Sequence, residues 1–375
     1  MFLHTIKLKN FRNLDGEYDL SNYINLIIGE NGLGKTNFLE AVGYLSFGKS
    51  FRTSHEPFVI KNYKKDEKDF DFCRLEGHLI NSLGGDVIRE VFLKKTINFS
   101  GNGCRKTLKI DGNRKSVNNF YDDFFAVIFS PTTINLVINS PSVRRGDLDD
   151  FISMYDGEYL NDIIEYRKII RNRNKLLYKC FEDRSRVSEL GFWNKKMYEL
   201  GSRIIYKRLE VIKQLNPLLL KISKKLYNLD VKKLSIKYIT KFKGDGSIKS
   251  IYKSLKDKVE NNLKKEIYAG STLYGPQRED FEFMLNSRNL KESGSRGQQR
   301  LGAFLYKIVQ WNILKRENGV TPVLLLDDLF SELDYKVIDN ICKFLENLNS
   351  QIIVTSTSID GITKSLIKKG KRIDI

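Results

Sequence analysis

Cysteine and histidine are scarce in this 375-residue chain, and each scarcity removes a class of protein. The four cysteines, Cys73, Cys104, Cys180 and Cys342, stand far apart, so they predict neither a disulfide framework nor a CxxC zinc pair. The three histidines, His4, His55 and His78, are not spaced as metal ligands, which excludes a His/Cys metalloenzyme. No apolar run approaches the roughly 20 residues of a membrane span, and Met1 to Asn10 alternates like a strand without the apolar core of an export signal. A soluble, cytoplasmic chain with no membrane partner is expected. Hydrophobic residues still make up 41% of the chain, enough for a proper core, and the length suggests about two domains at roughly 150 residues each.

Charge of one sign is in excess, and it is concentrated. Lys and Arg number 64 against 46 Asp and Glu, a formal net charge of +18. Residues 161–270 hold 28 Lys and Arg against 12 Asp and Glu, so this stretch carries nearly the whole excess. Such a patch suits a polyanion, because Lys and Arg beside phosphates release condensed counterions.

The patterning divides the chain into three blocks. Residues 1–139 are strand-rich, with apolar or alternating runs at 5–8, 23–28, 73–79, 87–93, 108–110 and 125–129. Residues 140–265 switch to helical spacing, through Leu160, Ile163, Ile170, Leu176 and Leu177, then Leu190, Met197, Leu200, Ile204 and Ile212 up to Pro217. This predicts an inserted helical, basic arm whose second helix ends at Pro217. Residues 266–375 return to α/β order: a helix ending at Gly319, a buried strand Val323–Leu326, a helix near 335–347 and a strand at 351–355.

The strand at 25–28 runs into Gly29-Glu30-Asn31-Gly32-Leu33-Gly34-Lys35-Thr36 and then a helical pattern, which is a phosphate-binding loop in its expected setting. The glycines let backbone N–H groups surround a β-phosphate, Lys35 reaches the β and γ oxygens, and the Thr36 hydroxyl is a Mg²⁺ ligand. Nearly 300 residues later, Val323–Leu326 ends in Asp327-Asp328. Acids at the end of a buried strand point to a polar site, with Asp327 holding Mg²⁺ directly or through water and Asp328 orienting or deprotonating an attacking water. Asn174-Lys175-Leu176-Leu177 and Asn194-Lys195-Lys196-Met197 both lack the Asp of a guanine-reading motif, which favours adenine. Ser295-Arg296-Gly297-Gln298-Gln299 opens a helix and presents free N–H groups, suited either to capping that helix or to an anion.

Together these residues resemble the ATP-binding-cassette heads of chromosome-maintenance and repair ATPases. Ser295, Gly297 and Gln298 then correspond to the signature that completes a second subunit's ATP site, and Ser331-Glu332-Leu333-Asp334 to the D-loop crossing the same interface. Within that superfamily the chain is similar to the RecF family. The similarity rests on Leu8 to Asn13, Phe47 to Arg52, Ser140 to Arg145, Gly275 to Asp280 and Arg296 to Arg300. Gln277 and Glu279 depart from that family's usual His and Asp, and Asp147 from its usual aromatic. The strand at 351–355 ends in Thr355-Ser356-Thr357 with no switch histidine, and no glutamine is assigned to a Q-loop.

The resemblance implies an α/β, P-loop ABC-type head with mixed sheets, flanking helices and an inserted arm. Helices of roughly 25–30 residues would extend the arm only about 40 Å, far short of an Smc-like coiled coil. It further implies a Mg²⁺-ATP-dependent homodimer that clamps DNA at gaps or single-strand/double-strand junctions, with slow, DNA-stimulated hydrolysis through Lys35 and Asp328. Cooperation with RecR and RecO, loading of RecA, and a place in replication, recombination, repair and the SOS response follow from the resemblance alone. For DNA contacts the sequence offers Lys168, Arg171, Arg173 and Lys175 on the arm, and Arg52 and Lys61 nearer the N-terminus. Two alternatives stay open: a DNA-binding scaffold that holds ATP without cleaving it, and an ABC transporter ATPase subunit, which should carry its signature much closer to the phosphate loop.

Overall fold

The computed structural model describes residues 1–61, 70–81, 83–98, 101–120, 123–226, 234–242, 244–331, 333–358 and 362–375. In chain order the strands are β1 (Phe2–Phe11), β2 (Leu14–Asp19), β3 (Ile24–Ile28), β4 (Phe72–Ile80), β5 (Asp86–Asn98), β6 (Gly101–Ile110), β7 (Asn113–Lys115), β8 (Ala126–Phe129), β9 (Leu234–Ile239), β10 (Asp280–Leu285), β11 (Arg288–Asn289), β12 (Val323–Asp327), β13 (Ile352–Ser356) and β14 (Lys371–Arg372). The α-helices are α1 (Lys35–Phe47), α2 (Asn135–Ile138), α3 (Pro141–Ser153), α4 (Gly157–Glu182), α5 (Leu190–Leu226), α6 (Ile248–Asn261), α7 (Leu263–Ala269), α8 (Leu290–Ser293), α9 (Arg296–Asn318), α10 (Tyr335–Glu346) and α11 (Lys364–Lys369).

The chain forms two compact units. The first is built mainly from Met1–Ile134 and Phe304–Ile375, the second from Asn135–Lys224 and Leu229–Ala303. The first unit is thus discontinuous in sequence. Its boundaries differ from the expected 139/140 and 265/266, because residues 266–303 belong to the second unit.

In the first unit an antiparallel sheet, β2-β1-β4-β5-β6-β7, and a parallel sheet, β14-β3-β13-β12-β8, both pack on α1. Phe38 to Phe47 are buried without interruption, as expected for a helix enclosed on every side. The parallel strands β12 and β13 are buried along their whole length for the same reason: both faces are covered. One strand, β13, separates the phosphate-loop strand β3 from the acidic strand β12, and all three run in the same direction. Their C-terminal ends therefore open on one edge.

The second unit is not purely helical: β11-β10-β9 form a three-stranded sheet beside the helices. Helix α5 also overruns the expected stop, since Pro217 lies inside its 37 residues. An interior proline costs about 3 kcal/mol, but its fixed φ is itself helical. Here tertiary bonds hold that turn: the Asn216 amide accepts from Ile236 N (2.7 Å) and donates to Ile236 O (3.0 Å) on β9. At 1.5 Å per residue, α4 spans about 39 Å and α5 about 55 Å.

The linkers at 140–145 and 275–280, distant in sequence, meet here. The Arg144 guanidinium donates to both Asp280 carboxylate oxygens (2.8 and 2.7 Å) and Arg145 Nη1 to Glu279 O (2.7 Å). Arg208 on α5 donates to Pro276 O and to Asp149, both at 2.8 Å, and Tyr166 OH to Gln277 Oε1 at 2.6 Å. These bonds explain why residues 275–280 side with the second unit.

Asp156 caps α4 by accepting from Tyr159 N at 2.9 Å and pairs with Lys207 at 2.6 Å. Burial opposes its charge, yet Lys207 and the backbone amides outweigh that and hold the carboxyl below its usual value. A lowered carboxylate pKa gives stability that is present above the unfolded value, about 3.9, and lost as pH falls through the folded one. Asp156→Ala should cost about 1 kcal/mol at pH 7. The deficit should shrink in thermal melts at pH 3.

Candidate nucleotide-binding site

The glycine-rich loop between β3 and α1 closes with φ of +92° at Gly32 and +111° at Gly34, the left-handed region glycine tolerates. A Cβ on Gly34 would also lie 2.8 Å from Asn13 Oδ1 and 2.9 Å from Leu14 Cδ2. Gly34→Ala should therefore distort the loop, which a loss of nucleotide affinity with little change in melting temperature would reveal. Asn13 braces the loop from the N-terminal linker: Nδ2 donates to Leu33 O (3.0 Å) and Oδ1 accepts from Asn37 (2.7 Å).

The buried Lys35 side chain points into the loop, donating to Gly29 O (2.5 Å) and Glu30 O (2.8 Å). Thr36, the next residue, donates to the Asp327 carboxylate at 2.9 and 3.0 Å, across 291 residues of sequence. Thr355 on the intervening β13 donates to Asp327 Oδ1 at 2.7 Å. A hydroxyl and a carboxylate brought together as hard oxygen donors fit Mg²⁺, which takes few protein ligands and keeps water and phosphate for the rest. Asp328 follows with φ +48°, its amide donating to Thr355 O (3.2 Å) and Thr355 Oγ1 (3.1 Å).

The sequence reading did not single out Asn13, Glu40 or the tie from Thr355 to Asp327. Glu40 is fully buried on α1, where it accepts from Arg12 (3.0 and 2.8 Å), Ser50 (2.5 Å) and Arg52 (3.3 Å). An acid inside an otherwise apolar helix was the available signal. The linkers at 8–13 and 47–52 thus converge on one carboxylate behind the phosphate loop.

Ser295 and Gln298 form a reciprocal capping box at the start of α9: Gln298 N donates to Ser295 Oγ (3.3 Å) and Ser295 N to Gln298 Oε1 (2.9 Å). Both are exposed, and Gly297 is half-buried. Asp334 is exposed and precedes α10, while Glu332 lies outside the described residues. No glutamine follows β8, where Ser130 N bonds Thr133 Oγ1 at 2.8 Å.

Of the basic candidates, Lys168, Arg171 and Lys175 are exposed on α4. Arg173 is a correction: it is 0% exposed, paired with Glu266 at 2.6 Å and bonded to Asn194 and Thr272 at 2.7 Å. A helical period of 3.6 turns it inward from the same helix that displays its neighbours. Arg52 is engaged by Glu40 and Asn37, and Lys61 by Asp15. Both work within the first unit's own structure. Burial pushes the Cys104 thiol up to about 11 and raises Cys73 further, so neither is a thiolate at neutral pH.

Among the described residues no helix is long and apolar enough to cross a membrane, and no cluster of three or more His, Cys, Asp and Glu is placed to hold a metal.

The family described as RecF/RecN/SMC N terminal domain matches residues 2–369. The DNA replication and repair protein RecF of Bacillus cytotoxicus is 32% identical over 380 residues, covering 100% of this chain and 97% of that one. RecF of Caldanaerobacter subterraneus subsp. tengcongensis is 35% identical over 370 residues, covering 96% and 95%. Among solved structures, the recombination mediator protein RecF with ATPrS in the RecFOR pathway superposes with a TM-score of 0.85 at 33% identity, covering 100% and 96%. RecF with ATP gives the same score and identity, covering 96% and 93%. An Smc head bound to the C-terminal winged-helix domain of ScpA shares the fold, with a TM-score of 0.53 at 15% identity, covering 96% and 91%. With a family model matching nearly the whole chain, relatives above 30% identity over nearly their full length and a superposition on RecF, the chain belongs to the RecF/RecN/SMC family, with the ABC-type ATPase fold of its RecF members.

Proposed function

We propose that the chain is an ATP-gated DNA clamp of replication and repair: Mg²⁺-ATP joins two copies, and the dimer holds DNA at a gap or single-strand/double-strand junction. The observation that carries this reading is the contact of Thr36 with Asp327 beside Lys35. Lys35 and the loop amides meet the β and γ oxygens, and Thr36 with Asp327 takes the metal, which neutralises phosphate charge when bound. Asp328 orients the attacking water. The exposed capping box at Ser295 supports a role across the dimer, because its surface is open to a second copy's nucleotide. RecR, RecO and RecA remain the partners proposed, by likeness to RecF proteins of the RecFOR pathway.

Light scattering with and without Mg²⁺-ATP, followed by gapped and blunt duplex, tests the reading. Conversion of monomer to dimer with a preference for gapped DNA is expected; a mass indifferent to ATP overturns it. Ser295→Arg should leave nucleotide binding by the monomer unchanged while abolishing the ATP-dependent dimer, since the cation fills the place of the partner's phosphate. Unaltered dimerisation would remove Ser295 from the interface.

A second reading, a scaffold that holds ATP without cleaving it, is favoured by one feature: Thr355, Ser356 and Thr357 stand where a switch histidine would. Phosphate release during prolonged incubation with Mg²⁺-ATP and gapped duplex separates the two. Slow release above background supports the clamp.

A further inference from the structure

Three aromatic rings stand in the open at the end of α4 where it meets α7. Tyr178 is 61% exposed, Phe181 49% and Tyr268 78%. They form a group rather than scattered surface residues. Phe181 and Tyr268 pack edge to face with centroids 6.0 Å apart, and the Tyr178 ring lies across Gly270, its Cδ2 3.8 Å from where a Cβ would stand.

Basic residues lead to these rings and flank them. Lys168, Arg171, Lys175 and Tyr178 recur at three- and four-residue steps, so they share one exposed stripe of α4. On α7, Lys264 and Lys265 are exposed one turn before Tyr268. Glu182 is the acid at the far end of the α4 stripe.

The support beneath is buried and bonded. Arg173 and Glu266 join α4 to α7 through a fully buried ion pair, and the Asn174 side chain accepts from Thr272 N (2.9 Å) and Oγ1 (2.7 Å). Leu176, Leu177, Cys180, Leu190 and Ile267 pack together under the same surface. The two helices that carry the rings are therefore joined by buried contacts beneath them.

We propose that Tyr178, Phe181 and Tyr268, approached by the basic stripe of α4, form a stacking platform for the unpaired bases of single-stranded DNA. A duplex hides its base faces, whereas an unpaired strand offers a π-face at every nucleotide and a phosphate for each cation. Charge complementarity selects a polyanion, and the exposed rings select one with open bases. The proposal deepens the clamp reading and rests on it, naming where the single strand beside a junction is held.

Fluorescence anisotropy of the full chain with labelled oligo(dT) and with blunt duplex, each with and without Mg²⁺-ATP, tests it. Tyr178→Ala with Tyr268→Ala, the two most exposed rings, should weaken oligo(dT) binding on the order of a hundredfold while duplex binding holds. Tyr178→Phe with Tyr268→Phe should restore it, because stacking needs the ring and not the hydroxyl. Arg171→Ala with Lys175→Ala should instead weaken both ligands and flatten the salt dependence, by about 0.7 per charge for single strands. Unchanged oligo(dT) affinity in the double alanine variant, no oligo(dT) binding by the wild type, or equal loss for both ligands would each overturn the platform. Loss of ATP-dependent duplex binding by the wild type would overturn the clamp reading separately. A double alanine variant that keeps oligo(dT) but loses RecR or RecO would reassign the surface to a protein.

Discussion

Lys35→Ala is expected to abolish ATP binding and ATP-dependent dimerisation together. The ammonium is the cation inside the phosphate loop, fixed by Gly29 O and Glu30 O beside the place where phosphate charge would lie. A hydrogen bond to a charged group is worth about 1.5–3 kcal/mol, and removing the cation forfeits more than one. The loss in nucleotide affinity should reach at least the order of a hundredfold. Calorimetric titration of Mg²⁺-ATP measures it, and light scattering reads the dimer. Lys35 opens α1, and the two bonds lost are both to carbonyls of the same loop, so the melting temperature without nucleotide should move far less than the nucleotide affinity. If dimers still formed with ATP, the loop would not be the gate.

Glu266→Ala should be the most destabilising single change in the second unit. Glu266 and Arg173 are each 0% exposed, and Glu266 also accepts from Leu273 N at 2.7 Å. Removing the carboxylate leaves an uncompensated guanidinium inside the arm, at a cost of about 3–5 kcal/mol. The denaturant midpoint of the second unit should fall accordingly. Adding Arg173→Leu to Glu266→Ala should recover much of that loss, since the penalty lies in the stranded charge. A double variant as unstable as the two single changes summed would mean the residues act independently.

The phosphate loop, the acidic strand and the helix after Ser295 were legible in the sequence because each is a local pattern: an apolar run, then the residues its terminus needs. The strands at 73–79, 87–93 and 125–129 were legible for the same reason. What escaped depended on distant partners. Pro217 marks a helix end in sequence, but Asn216 pairs with β9 and the helix continues. Arg173 is one basic residue in a basic run, and only the helical phase, with Glu266 waiting on α7, makes it a core residue. The extent of the second unit escaped because Arg144 and Arg208 meet their partners at 276–280 only in three dimensions. Glu40 is one acid in an apolar helix, and its partners Arg12 and Arg52 reach it only through the fold.

The bonding around Lys35 and Asp327 has an electrical consequence. The ammonium is satisfied by two neutral carbonyls and the carboxylate by two neutral hydroxyls, so neither charge is spent on the other. Lys35 adjoins Thr36, which bonds Asp327, so a buried cation and a buried anion are joined through one residue and form a dipole. Such a dipole matches the complex of a polyanion with its dication better than either ion alone, since each half would otherwise face one like charge. On the proposed function, discrimination between metal-loaded and bare nucleotide would follow from this pair before either one binds.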